Sequence, residues 1–218
     1  MSFTSIFDII IVVGALAISI SIHEFSHGYI AYLLGDPTAK LSGRLTLNPL
    51  AHIDPFMTVL LPLILIVFHS PIVFAAAKPV PFNPHFLRSS RWGPALVALA
   101  GPSSNFLLVL ASFFPLRVLA QLEIQSLGLI LALKFFTFLI FINLILMVIN
   151  LLPIPPLDGS KLLYSLLPQD LAYSIMRIEQ FGFFIFLIFL LFFGQYLFLI
   201  IFYLAKIFIP SSLLGFLL

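Results

Sequence analysis

The chain has 218 residues, 62% of them hydrophobic and only 8% charged, with a mean hydropathy of +1.22. A soluble domain is usually about a quarter charged, so this composition excludes an ordinary water-soluble fold and calls for lipid as solvent. A formal net charge of +2 on ten scattered Lys and Arg leaves no nucleic-acid footprint, and the absence of cysteine confines any zinc to His, Asp or Glu.

A helix that crosses a bilayer needs about 20 mainly apolar residues. Five stretches qualify: Ile9 to Leu34, Phe56 to Ala77, Pro94 to Leu119, roughly Phe135 to Leu152, and Phe181 to Ile209. The N-terminus shows neither a basic leader nor a small-residue cleavage site, so the first stretch is read as a retained span.

Within that first span lies His23-Glu24-Phe25-Ser26-His27. An ionisable group near the bilayer centre costs on the order of 3 kcal/mol or more unless it is paired or hydrated, so something must compensate for three of them. At i and i+4 on a helix, His23 and His27 share a face and can bind one metal ion. Glu24 is offset by one residue, beside the metal rather than on it, where a general base acting on water belongs. The bland alternative is a chance match, or polar residues that only bond between helices.

The next segments, Gly35 to Pro55 and Ala77 to Gly93, are rich in Pro, Gly and Asn and read as ordered loops. Their prolines favour extended or turn conformations, suited to lying against the bundle or adding short edge strands. The stretch between them is interrupted by Pro62 and by His69-Ser70-Pro71, so it reads as either spanning or re-entrant. The Phe-rich run Phe181 to Phe193 reads as lipid-facing packing.

A catalytic zinc normally takes three protein ligands and a water, so two histidines leave it one short. His52, Asp54, His69, His85, Glu123 and Asp158 are the available candidates. Most lie in loops or at span ends, where solvation accounts for them. Asp158 follows a span in Asn150 to Gly159, NLLPIPPLDG, where Pro153, Pro155 and Pro156 prevent a regular helix. Unwound backbone at membrane depth is tolerated only where protein buries it or water reaches it, which a polar active site would satisfy. Its other reading is a cap on the helix opened by Ser160-Lys161-Leu162-Leu163.

The motifs HEFSH (His23 to His27), NPLAHIDP (Asn48 to Pro55), AKPVPFNP (Ala77 to Pro84), AGPSSN (Ala100 to Asn105) and NLLPIPPLDG occur in that order. Together they resemble the site-2 protease family of intramembrane zinc metalloproteases, in its compact prokaryotic form without PDZ or CBS domains. The resemblance implies one zinc ion per chain on His23, His27 and Asp158, with Glu24 as catalytic acid/base. Asn105 and Asn150 fall at polar positions near the active site, assigned to oxyanion stabilisation or substrate-strand binding, with an interhelical hydrogen bond as the other reading of each. His52 falls in a shared segment and is assigned a supporting role, whereas Asn143 has no motif behind it and is read as structural.

The expected fold is an all-α polytopic membrane protein, a bundle of about five to six transmembrane helices with short extended or re-entrant segments. Residues 1–218 are read as one membrane-embedded domain, with a motif-bearing core at about 9–165 and a motif-poor region at about 166–218. The implied substrate is a transmembrane helix of another protein, and the implied location a multi-pass position in a prokaryotic plasma membrane. A membrane zinc or cation transporter, a different membrane zinc protease completed by a downstream Glu (Glu123 or Glu179), and a catalytically silent scaffold are the alternatives.

Overall fold

The computed structural model describes residues 6–60, 64, 67–68, 78–89, 91–122 and 126–217. Among these, seven α-helices form and no strand does. Four helical stretches are long and apolar enough to cross a membrane: Ile6–Leu33, Gly93–Leu119, Leu127–Asn150 and Asp170–Phe208. The protein is an all-α polytopic membrane protein.

Helix α1 (Ile6–Leu33) carries the HEFSH motif in its last third. It ends where Gly35 adopts φ +108, a left-handed conformation that glycine alone adopts freely, while the N–H of Asp36 returns to the Ala31 carbonyl at 2.9 Å. The short α2 (Thr38–Leu41) follows. Helix α3 (Gly93–Leu119) starts with Pro94 in its first turn, a position where a missing N–H costs nothing. Pro102 and Pro115 lie inside it.

Helix α4 (Leu127–Asn150) begins well before the expected Phe135, because the Ser126 side chain caps it by accepting the Leu129 N–H at 3.2 Å. Two short helices come next, α5 (Asp158–Leu166) and α6 (Gln169–Met176), before the long α7 (Gly182–Phe208). Four of the expected spans thus coincide with α1, α3, α4 and α7. The expected stretch Phe56 to Ala77 lies largely outside the described residues, which show a π-helical turn at Pro55–Leu60.

Helix α3 packs against α1, α4 and α5, and α4 also packs against α1 and α7. The main core is aliphatic and aromatic: Ala15 from α1, Val109 and Leu116 from α3, Phe138 to Ile142 and Leu144 from α4, and Leu197, Ile201 and Ala205 from α7. Large apolar side chains elsewhere, such as Leu191, Phe192 and Tyr203 on α7, are exposed, as lipid contact allows. Near the start of α1, Asp8 accepts from the ammonium of Lys134 on α4 at 2.5 Å, pairing two charges that would otherwise be costly at that depth.

The loop after residue 77 is extended, yet no edge strand forms among the described residues. Pro79 and Pro81 have no N–H to give a ladder. The remaining donors go to isolated acceptors instead: Lys78 to the His52 carbonyl at 2.9 Å, Val80 to Glu24, Asn83 to the Asp36 carboxylate at 2.6 Å, and Arg88 to the Leu34 carbonyl at 2.9 Å. The segment is thereby fastened to α1 at Glu24 and to the chain beyond it at Leu34, Asp36 and His52.

Candidate metal centre

His23 and His27 project from one face of α1 with their ring centroids 4.6 Å apart. Asp158 comes to them from the other side of the α4–α5 turn. Leu151 and Leu152 close the end of α4, and Gly159 packs against their carbonyls so tightly that a β-carbon there would overlap backbone. That close approach folds the proline-rich turn back into the bundle, so Asp158, the first residue of α5, lies at the depth of the two histidines.

The His23 and His27 Nε2 atoms are 3.0 Å apart, and Asp158 Oδ2 lies 3.2 Å from the first and 3.1 Å from the second. Ligand atoms held about 2.0–2.1 Å from a tetrahedral zinc ion are about 3.3 Å apart, so the triangle has the size of three zinc ligands. These three are the group of metal-ligating side chains that converges among the described residues.

Hydrogen bonding gives the triangle its chemistry. His27 Nδ1 lies 2.7 Å from the Val97 carbonyl, an acceptor only, so the imidazole proton is on Nδ1 and Nε2 offers a lone pair. His23 Nδ1 faces the Asn105 Oδ1 at 2.6 Å, with the same result. Asp158 Oδ2 is buried and finds no hydrogen-bond donor. With each imidazole proton on Nδ1, three lone-pair atoms converge, and a cation is what satisfies them. Lys161 Nζ, 3.5 Å from Asp158 Oδ1, offsets part of the charge on the other oxygen.

Room for an ion is provided by α3. A β-carbon on Gly101 would stand 2.5 Å from His27 Nε2 and 2.6 Å from His23 Nε2, so the missing side chain opens the space in front of both nitrogens. The residues present fit zinc in donor type, spacing and clearance.

Glu24, one position round the helix, is not part of the triangle. Its Oε2 accepts the Val80 N–H at 2.9 Å, which fixes the carboxylate beside the histidines. Asn105 is fully buried, with its amide NH2 donating to Asn143 Oδ1 at 2.7 Å. Asn150 is partly exposed and uses its NH2 on the Leu146 carbonyl one turn back, at 3.0 Å. His52 is buried away from the triangle; its Nε2–H donates to the Thr46 carbonyl at 2.9 Å, and its own carbonyl holds Lys78. Of the other candidate third ligands, Asp54 accepts the Phe56 N–H and His85 is exposed on a short turn, while His69 and Glu123 lie outside the described residues.

Over 178 residues the chain is 40% identical to the candidate zinc metalloprotease YwhC of Bacillus subtilis, covering 79% of this chain and 76% of that protein. The model of Peptidase family M50 matches residues 118–193. The chain belongs to peptidase family M50, the site-2 proteases. This M50 peptidase is also 29% identical over 198 residues to the candidate zinc metalloprotease Rip2 of Mycolicibacterium smegmatis, covering 88% of this chain and 70% of that one. A 31% identity over 173 residues relates it to Rip2 of Mycobacterium tuberculosis, covering 79% and 63%. No solved structure matches it. It is an intramembrane zinc metalloendopeptidase acting on protein substrates, and the transporter and scaffold alternatives are not favoured.

Asn143, read from the sequence as structural, is bonded directly to Asn105. A signal for it was present: Asn143 and Asn150 are seven residues apart, two turns along one face of an otherwise apolar helix, and each is expensive in a membrane without a partner.

Proposed function

We propose that His23, His27 and Asp158 hold the zinc ion and that Glu24 is the general base and acid for cleaving a peptide bond of a transmembrane protein. The observation that carries this is the triangle of Nε2, Nε2 and Oδ2 atoms 3.0–3.2 Å apart. When bound, zinc supplies Lewis acidity, acidifying water and polarising a carbonyl.

The chain's own groups do the rest. Glu24, steadied through Oε2 by Val80, takes a proton from the attacking water on Oε1 and delivers it to the departing amine. Asn105 orients His23. Asn150, less buried than Asn105 and with no hydrogen bond drawn to its Oδ1 among the described residues, is the better placed of the two for contact with substrate or oxyanion. His52 supports the site indirectly, by holding Lys78 at one end of the segment that carries Val80. We place the protein in the plasma membrane of a prokaryote, in keeping with its bacterial relatives, and treat residues 1–218 as one catalytic domain.

Metal analysis of protein purified without chelators tests this. About one zinc per chain is expected in wild type and in Glu24→Gln, with loss in Asp158→Ala. Peptide cleavage by Glu24→Gln is expected to fall about 10²–10⁴-fold while its zinc stays. Metal-free wild type, or full zinc retention without Asp158, would overturn the assignment.

A further inference from the structure

We infer that Asn143, two hydrogen bonds removed from His23, is a positioning residue that decides which nitrogen of His23 carries the imidazole proton and so keeps Nε2 free for the metal. The inference rests on the zinc assignment above and asks what makes Asn105 present its oxygen, rather than its NH2, to His23.

A carboxamide is nearly symmetric in shape, so sterics alone do not choose between its two ends. The choice is made at the far end of a buried chain of hydrogen bonds crossing three helices. Asn143 Nδ2 lies 2.7 Å from the Leu139 carbonyl on its own helix and 2.8 Å from Ser19 Oγ on α1. The carbonyl can only accept. Ser19 spends its one proton on the Ala15 carbonyl at 2.7 Å, so towards Asn143 it too accepts. Both contacts therefore require the NH2 end of Asn143, and its Oδ1 is turned to Asn105 at 2.7 Å. That oxygen accepts only, so Asn105 must answer with its NH2 and turn its own Oδ1 to His23 Nδ1 at 2.6 Å. The imidazole proton is then held on Nδ1 and the Nε2 lone pair points into the ligand triangle.

Two backbone carbonyls, Ala15 and Leu139, thus set the tautomer of a metal ligand through Ser19, Asn143 and Asn105. All three side chains are fully buried, so water does not compete for the bonds. Without Asn143, the Asn105 amide is free to turn over, presenting N–H to His23 and placing the imidazole proton on Nε2, where it opposes metal binding. Ser19 is the weaker link, because the Leu139 carbonyl alone still orients Asn143.

The test is zinc affinity, by chelator competition, of full-length protein in detergent: wild type, Asn143→Leu, Ser19→Ala and Thr137→Val. Thr137 is equally buried on the same helix but outside the chain of bonds. Asn143→Leu is expected to bind zinc about 10–100-fold more weakly, the usual loss for partners of metal-bound histidine. The visible spectrum of its cobalt-loaded form should also change. Ser19→Ala and Thr137→Val should stay within about threefold of wild type. If Asn143→Leu does not fold, Asn143→Ala serves, since water admitted there can face Asn105 with either a proton or a lone pair and the order is still lost. Folded Asn143 variants with wild-type affinity, or an equal loss in Thr137→Val, would overturn the inference while leaving the zinc site standing. Metal-free wild type would overturn both.

Discussion

Gly101 shows how closely the chemistry depends on a single hydrogen in place of a side chain. A β-carbon there would fall 2.5 Å from both His23 Cε1 and His27 Nε2, inside van der Waals contact and in the space a ligand ion needs. Gly101→Ala is therefore expected to leave the protein helical but reduce bound zinc to less than about a tenth of wild type, since α3 cannot retreat without disturbing its packing on α1 and α4. Gly128→Ala, at a glycine with nothing within 4 Å, should keep its zinc. Metal content and far-ultraviolet circular dichroism of the two variants check this. The site as a whole was only partly legible in the sequence. His23, Glu24 and His27 announce themselves through helical spacing in an apolar run, and Asp158 through the proline-rich turn. Gly101 and Asn143 act on His23 from other helices, across 78 and 120 positions of sequence, and such contacts exist only once the helices have packed.

The extended segment from Lys78 to Arg88 has little regular structure of its own and depends on what α1 and its flanking turns offer it. Asp36 is its main anchor: fully buried, its carboxylate accepts the Asn83 N–H, the Thr38 N–H at 2.9 Å and the Thr38 hydroxyl. Asp36→Ala would leave buried donors unpaired at about 1–3 kcal/mol each, so a stability loss of about 3 kcal/mol is expected. Activity should fall further than stability accounts for, because Val80, three residues from Asn83, steadies Glu24. Thermal unfolding in detergent, with cleavage assayed well below the midpoint, separates the two effects; unchanged cleavage would mean that Glu24 needs no help from Val80. The same segment explains why the expected edge strands are missing. The prolines that mark the loop in the sequence also deprive it of N–H donors, and the acceptors it uses, a side-chain carboxylate on α1 and one beyond its end, cannot be inferred from local pattern. Helices α1, α3, α4 and α7 were legible because length and apolarity alone demand them; the early start of α4 was not, since it rests on one capping serine.

Across the whole molecule, the proposed zinc ligands stand within the helical bundle, with His23 and Asp158 only 7% and 8% exposed. A folded helix is about 10–12 Å across with its side chains, and its carbonyls are hydrogen-bonded and turned along its axis. Such a helix cannot place a peptide carbonyl against ligand atoms recessed between α1, α3 and α5. The substrate must present extended backbone, and breaking helical hydrogen bonds in lipid leaves polar groups without water to satisfy them. Helix-breaking residues lower that cost before the enzyme is met, since Gly is about 1 kcal/mol and Pro about 3 kcal/mol less favourable than Ala inside a helix. A transmembrane substrate with Gly, Asn or Pro near the cut should thus be cleaved about fivefold or more faster than a uniformly Leu-rich one, the ratio that about 1 kcal/mol gives when unwinding precedes cleavage. Purified enzyme and both substrates in the same detergent micelles provide the comparison. Equal rates would mean that unwinding is not limiting and that the site reaches its peptide bond outside the helical part of the substrate.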